Sequence, residues 1–344
     1  MAIRRPLLAI TLGDPAGIGP EIIVKALSAH GLYELCCPLL VGDARVLSRA
    51  LSFTGLSSRV HAIKSPADGT YTPGTLDVLD LGNVNPDNPE MGAVSADAGR
   101  AAVECILAGT RMAMNGEVDG LVNGPISKEA VKAAGYTRYL GHVSILEDVT
   151  GCEGCRPMLV AGKLQVVSVT YHIPLKEVSD HLSIASVLDT ITLTHRSLEA
   201  LGVLAPRIGV SGLNPHNGDG GLVGTEEIEV IAPAVEDACD KGIDACGPVA
   251  ADSIFTLAVQ GQFDVVVCMY HDQGHIAVKA FGFDESVTVT LGLPFVRTTT
   301  AHGVAFDLAG KGRANSGNME EAIRLAARLV GRRHESACDG GVSA

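Results

Sequence analysis

The chain has 344 residues, 47% hydrophobic and 19% charged, enough for two domains or two lobes with a substantial core. A net charge of −13, with no run of clustered Lys and Arg, speaks against nucleic acid or an anionic membrane as partner. No segment reaches transmembrane length, and the apolar run over 6–12 stops at Gly13-Asp14, too short for a secretory signal core.

In chain order, residues 7–12 read as a first buried strand. The stretch GDPAGIGPE (13–21) then turns into a helix over about 22–28, with Pro20 suited to its first turn and Glu21 to its positive end. Its glycines serve either a close ligand approach or the turn itself, since the spacing is not G-x-G-x-x-G. Residues 38–41, 60–63 and 76–81 read as strands, 44–51 as a helix, and 95–114 as a long helix. A strand over 118–122 ends in Asn123-Gly124-Pro125, and Ser127 caps a helix stopped by Gly135. Gly141-His142-Val143-Ser144 opens a short helix to residue 150.

Residues 158–161 and 164–170 form a strand pair that runs into Tyr171-His172. Ser183 caps an amphipathic helix with Ile184, Val187, Leu188, Ile191, Leu198 and Leu201 on its apolar face. A strand over 208–213 closes on NPHNGDGG (214–221). Helices follow over 226–241, interrupted at Pro233, and over 250–260. The run DVVVCMY then forms a β-branched strand ending on a loop, His271-Asp272-Gln273-Gly274-His275. A strand over 287–291, a Gly/Pro loop and a helix near 320–330 complete the chain, with disorder expected from Arg332. Strands and helices alternate throughout, so the expected class is α/β with a largely parallel sheet.

The nine cysteines are odd in number and scattered, so no disulfide framework is expected, and a reducing, cytoplasmic setting is. Cys152-Glu153-Gly154-Cys155 is a single C-x-x-C lacking the second pair of a zinc ribbon, and it reads as a surface loop with two thiols.

Ligands of open α/β sheets gather beyond the carboxyl ends of the strands. His172, His216 and His271 each follow a strand directly. One histidine there is commonly a loop residue. Three in the same setting point to a metal, and three imidazoles leave coordination positions open, as catalytic sites require. Asp219 and Asp272 are candidates to fix the histidine tautomers, although Asp219 beside glycine also suits a plain turn. His142 at a helix N-terminus, Lys128, Lys279 and Arg297 suggest an anion pocket, with solvated surface charge as the alternative for the lysines.

From Ile10 to about Arg328 the chain resembles the 4-hydroxythreonine-4-phosphate dehydrogenase (PdxA) family of pyridoxine biosynthesis. The motifs are GDPAGIGPE (13–21), GH (141–142), NPHNGDGG (214–221), YHDQGH (270–275) and TLGLPFVRT (290–298). The resemblance implies a two-lobed α/β fold like that of isocitrate and isopropylmalate dehydrogenases, with a cleft between the lobes. Residues 1–135 and 305–344 would form one lobe, and 136–304 the other, carrying most metal and substrate residues. It implies NAD or NADP bound without a Rossmann fingerprint, and a homodimer whose active sites are shared. His172, His216 and His271 would hold a divalent metal, zinc first, with magnesium, manganese or cobalt as alternatives. His142, Asp252, Lys279, Thr288 and Arg297 would contact a phosphorylated substrate, which is oxidised by hydride transfer and then decarboxylated. No general base or cofactor residue is assigned.

Three positions depart from the biosynthetic pattern: Val143 stands in place of Thr, Thr288 in place of Asn, and His275 in place of an apolar residue. They lean toward paralogues acting on 4-phospho-D-threonate or D-erythronate. A terephthalate cis-dihydrodiol dehydrogenase ranks behind these because Arg297 and Lys279 favour phosphate. The rival class is a three-histidine metal hydrolase, against which the GDPAGIGPE motif counts.

Overall fold

Short runs, most of them buried, make the strands of the computed structural model, which describes residues 4–85 and 91–339. They are β1 (Leu7–Thr11), β2 (Cys37–Gly42), β3 (Arg59–Ile63), β4 (Thr75–Asp80), β5 (Gly120–Asn123), β6 (Arg156–Ala161), β7 (Leu164–Thr170), β8 (Ile208–Ser211), β9 (Ala245–Val249), β10 (Val265–Tyr270), β11 (Val287–Leu291) and β12 (Val296–Thr300). The helices are α1 (Gly19–Ser28), α2 (Gly31–Leu35), α3 (Ala44–Thr54), α4 (Ala96–Met114), α5 (Lys128–Ala133), α6 (His142–Thr150), α7 (Ile184–Ala200), α8 (Ala232–Asp240), α9 (Ala251–Val259), α10 (His271–Gly282) and α11 (Gly317–Asp339). The protein is α/β, in two units: Met1–Cys155 with Leu293–His334, and Arg156–Gly292 with Glu335–Ala344. The first unit thus takes in His142 and Arg297, which the sequence reading put with the second lobe.

In the first unit the strand order is β3-β4-β2-β1-β5-β12, and every pairing is parallel. Leu8, Ala9 and Ile10 of β1 are fully buried, as befits a parallel strand covered on both faces. Val103 and Ile106 of α4 pack with Leu39, Val41 and Leu121 of the strands and with Ile145 and Leu146 of α6. That packing fixes the helix that begins at His142. Ser127 caps α5, its Oγ accepting the N–H of Ala130 at 3.1 Å. Glu21 is wholly buried in the first turn of α1 and accepts Lys25 Nζ at 2.8 Å and the N–H of Ala314 at 2.7 Å. The stretch expected as a Gly/Pro loop contains β12, buried throughout despite four polar residues.

In the second unit the order is β11-β6-β7-β10-β8-β9. β6 runs antiparallel to both neighbours, while β7, β10, β8 and β9 are parallel. The carboxyl ends of β7, β10 and β8 therefore lie side by side. His172, His216 and His271 all follow these ends.

Two further expectations are corrected. The His271–His275 run is not a loop but the first turns of α10, with Gly274 where the helix crosses the sheet. A Cβ on Gly274 would come within 3.0 Å of Val166 Cγ2, so glycine lets the helix approach. The tail expected to be disordered continues α11 to Asp339, anchored upstream by fully buried Ile323 and Ala326.

Candidate active site

Parallel pairing of β7 with β10 brings His172 and His271 together within the second unit, their ring centroids 5.7 Å apart. His172 has φ +29°, outside the ordinary regions for a non-glycine residue, a conformation costing on the order of 1–3 kcal/mol and concentrated at functional sites. His271 Nδ1 lies 2.7 Å from Asp272 Oδ1. In the neutral ring this Nδ1–H donates to the carboxylate and leaves Nε2 with its lone pair, the form that binds metals. A cavity of about 160 Å³ adjoins the pair, lined among others by Thr170, Ile173 and Tyr270.

The same face of α10 carries His275 and Lys279, one and two turns beyond His271. The His275 ring stacks on that of His271 at 3.7 Å, and its Nδ1–H donates to the His271 carbonyl at 3.0 Å. Burial, and then repulsion from His271, pull its pKa down to about 4. His275 is therefore neutral at pH 7.

His216 sits at the start of five successive left-handed residues, His216 to Gly220, with φ between 45° and 75°. Three are not glycine, each costing about 1–2 kcal/mol against ordinary helical backbone. Gln273 bridges this region to α10: its Oε1 accepts the N–H of Met269 at 2.7 Å and its Nε2 donates to the Gly212 carbonyl at 2.8 Å. Among the described residues no three His, Cys, Asp or Glu side chains converge as a metal-binding group. The chain thus brings His172 and His271 together but does not bring His216 to them. A pair of imidazoles, one oriented by a carboxylate, is nonetheless the donor chemistry a divalent metal takes.

The anion candidates of the first unit form a second cluster. Arg297 is 1% exposed on β12, and its Nε donates to Asn123 Oδ1 at 2.7 Å. Asn123 in turn donates to Thr11 Oγ1 at 2.9 Å. Burial lowers the Arg297 pKa to about 9, still cationic at neutral pH. His142 Nε2 faces the Gly124 carbonyl at 3.1 Å, and burial, reinforced by the Arg297 charge, pushes its pKa well down. Its ring is neutral. Asp252 is exposed in the first turn of α9, accepting the Ser253 hydroxyl at 3.0 Å, and Thr288 is half-buried on β11 opposite Leu159. Cys152 and Cys155 are unpaired, as expected.

Sequence reasoning missed Asn123 and Gln273. Asn123 carried a signal, an amide at the carboxyl end of a buried strand. Gln273 was hidden in a stretch read as loop, where its two bonds to backbone could not be foreseen.

A sequence model of one family, described as the pyridoxal phosphate biosynthetic protein PdxA, matches residues 34–326. A protein of Symbiobacterium thermophilum, provisionally named a D-threonate 4-phosphate dehydrogenase, is 44% identical over 95% of this chain and 97% of its own. A protein of Desulforapulum autotrophicum named 4-hydroxythreonine-4-phosphate dehydrogenase is 43% identical over 95% of this chain and 96% of its own. The crystal structure of 4-hydroxythreonine-4-phosphate dehydrogenase from Klebsiella pneumoniae superposes with a TM-score of 0.88 at 39% identity, covering 94% of this chain and 99% of that one. Among the described residues no helix is long and apolar enough to cross a membrane.

Proposed function

The chain belongs to the family of the pyridoxal phosphate biosynthetic protein PdxA, and on that premise we propose that it is an NAD-dependent dehydrogenase that oxidises and decarboxylates a 4-phosphorylated 3-hydroxy acid. The observation that carries this reading is the His172–His271 pair at the carboxyl ends of two neighbouring parallel strands, beside a small cavity. His172, His271 and His216 would hold a divalent metal, zinc first, with magnesium, manganese or cobalt as alternatives. When bound, such a metal acts as a Lewis acid toward the substrate's hydroxyl and carboxylate, while the nicotinamide takes the hydride.

The chain's own part is placement. Asp272 holds His271 in the tautomer whose Nε2 is free. Arg297, cationic and withdrawn from water, is assigned an anionic group of the substrate, with neutral His142 beside it as a hydrogen-bonding partner. Low local dielectric strengthens such a contact over one at the surface. Lys279, Asp252 and Thr288 complete the assigned substrate contacts.

A homodimer with shared sites accounts for the missing convergence of His216. Each candidate ligand is followed closely by an exposed aliphatic side chain: Leu175 at 69% exposure, Leu222 at 87% and Ile276 at 67%. Isolated apolar exposure is ordinary, but three such residues flanking three histidines suit a face covered by a second copy.

The substrate is assigned by class. Relatives named for hydroxythreonine phosphate and for D-threonate phosphate are almost equally similar. Comparing phosphorylated acids with their dephosphorylated forms tests the reading. A preference for the phosphorylated acids supports it, and equal turnover of both removes Arg297 from its role.

A further inference from the structure

Glu227 is a buried carboxylate that neither the histidine pair nor the anion contacts use. It is 3% exposed and opens a π-helical turn, Glu227–Ile231. Its Oε1 accepts the backbone N–H groups of Leu213 at 2.7 Å and Asn214 at 2.6 Å. Its Oε2 accepts Asn214 Nδ2 at 2.9 Å. All these bonds fall between the end of β8 and the left-handed run that starts at His216. Gly218, inside that run, lies so close that a Cβ there would stand 3.0 Å from Glu227 Oε2.

A left-handed run containing three residues with side chains is held only where its surroundings over-determine it. Asn217 supplies one restraint by donating Nδ2 to the Pro248 carbonyl at 2.9 Å, and Gln273 another through Gly212. Glu227 is the ionisable group among them, and bonds to a carboxylate are roughly twice as strong as neutral ones. It grips the two peptide N–H groups just before the run begins, fixing the direction in which the chain enters it.

We propose that Glu227 is a positioning residue for His216, its carboxylate setting the backbone conformation from which the imidazole is presented to a divalent metal. The inference rests on the reading of His216 as a metal ligand. A carboxylate acting only as a structural cap would protect the fold and leave metal affinity alone.

The test is cobalt(II) affinity of the full-length apoprotein, read from visible absorption, for wild type, Glu227→Ala, Glu227→Gln and His216→Ala, with thermal melts alongside. Glu227→Ala is expected to weaken cobalt binding about 10- to 100-fold, the range for residues supporting metal ligands. Glu227→Gln keeps an acceptor for both N–H groups but loses the charge and turns a donor toward Asn214 Nδ2, so it is expected to fall between wild type and Glu227→Ala, about three- to tenfold weaker than wild type. Wild-type affinity in Glu227→Ala, with only a lowered melting temperature, would overturn the inference. Wild-type affinity in His216→Ala would instead overturn the reading beneath it. If Glu227→Ala does not fold, Glu227→Asp, which retracts the charge by one methylene, must weaken cobalt by about fivefold or more, and unchanged binding there overturns the inference equally.

Discussion

The imidazole of His275 lies face to face with that of His271, centroids 3.7 Å apart and planes within 14°, one helical turn along α10. Such contact restrains the His271 ring from one side while Asp272 holds its Nδ1. Stacked aromatic pairs contribute about 0.5–1.5 kcal/mol beyond their burial. His275→Ala should therefore weaken metal binding roughly 2- to 10-fold, and His275→Phe, which preserves a ring, should restore most of it. Isothermal titration with zinc checks this, and equal affinity in all three proteins would refute it.

Arg297→Ala should raise the KM for a phosphorylated substrate by about 10- to 100-fold, since a charged hydrogen bond to an anion contributes on the order of 1.5–3 kcal/mol. Its effect on kcat should be smaller. Steady-state kinetics decides, and an unchanged KM would remove the guanidinium from substrate binding.

Asp14 sets a pH dependence of stability. It is wholly buried, with Oδ1 accepting the N–H of Ala16 at 2.9 Å and Oδ2 without a hydrogen-bond partner among the described residues. Burial outweighs its backbone bonds and raises its pKa from 3.8 to about 6. Between those values the folded state holds the proton that the unfolded state has released. Stability from this group is thus complete below the lower value and lost as pH rises through the upper one. Asp14→Asn should stabilise the protein at pH 7 by on the order of 2 kcal/mol, with the gain vanishing below about pH 4. Denaturant melts at the two pH values check the sign.

His216→Ala should abolish turnover with the fold largely kept, because the side chain lies on a surface loop and not in the core. Metal content and the melting curve report the two effects separately. Turnover with normal metal content would exclude His216 as a ligand.

Much of this fold was legible where burial and chemistry agree. β1, β2 and β10 are predominantly apolar and uncharged, the composition of parallel strands covered on both faces. β12 was illegible because VRTTT looks like a polar loop, yet its threonines and arginine are buried. α10 was hidden by its polar opening and by Gly274, a poor helix former retained for close packing on Val166. Of the site, the strand-end histidines announced themselves by position. Asn123 carried the same strand-end signal, but Gln273 and Glu227 did not: they act on backbone groups far along the sequence, and no local pattern marks such partners.

The central claim is tested most directly by NADH formation from metal-stripped protein, with and without added zinc or manganese, on 4-phosphohydroxythreonine and 4-phospho-D-threonate. The account predicts no NADH from the stripped protein and restored NADH, with an equal amount of carbon dioxide, from at least one acid once metal returns. Undiminished turnover by the stripped protein, or none on either acid with metal present, would contradict it.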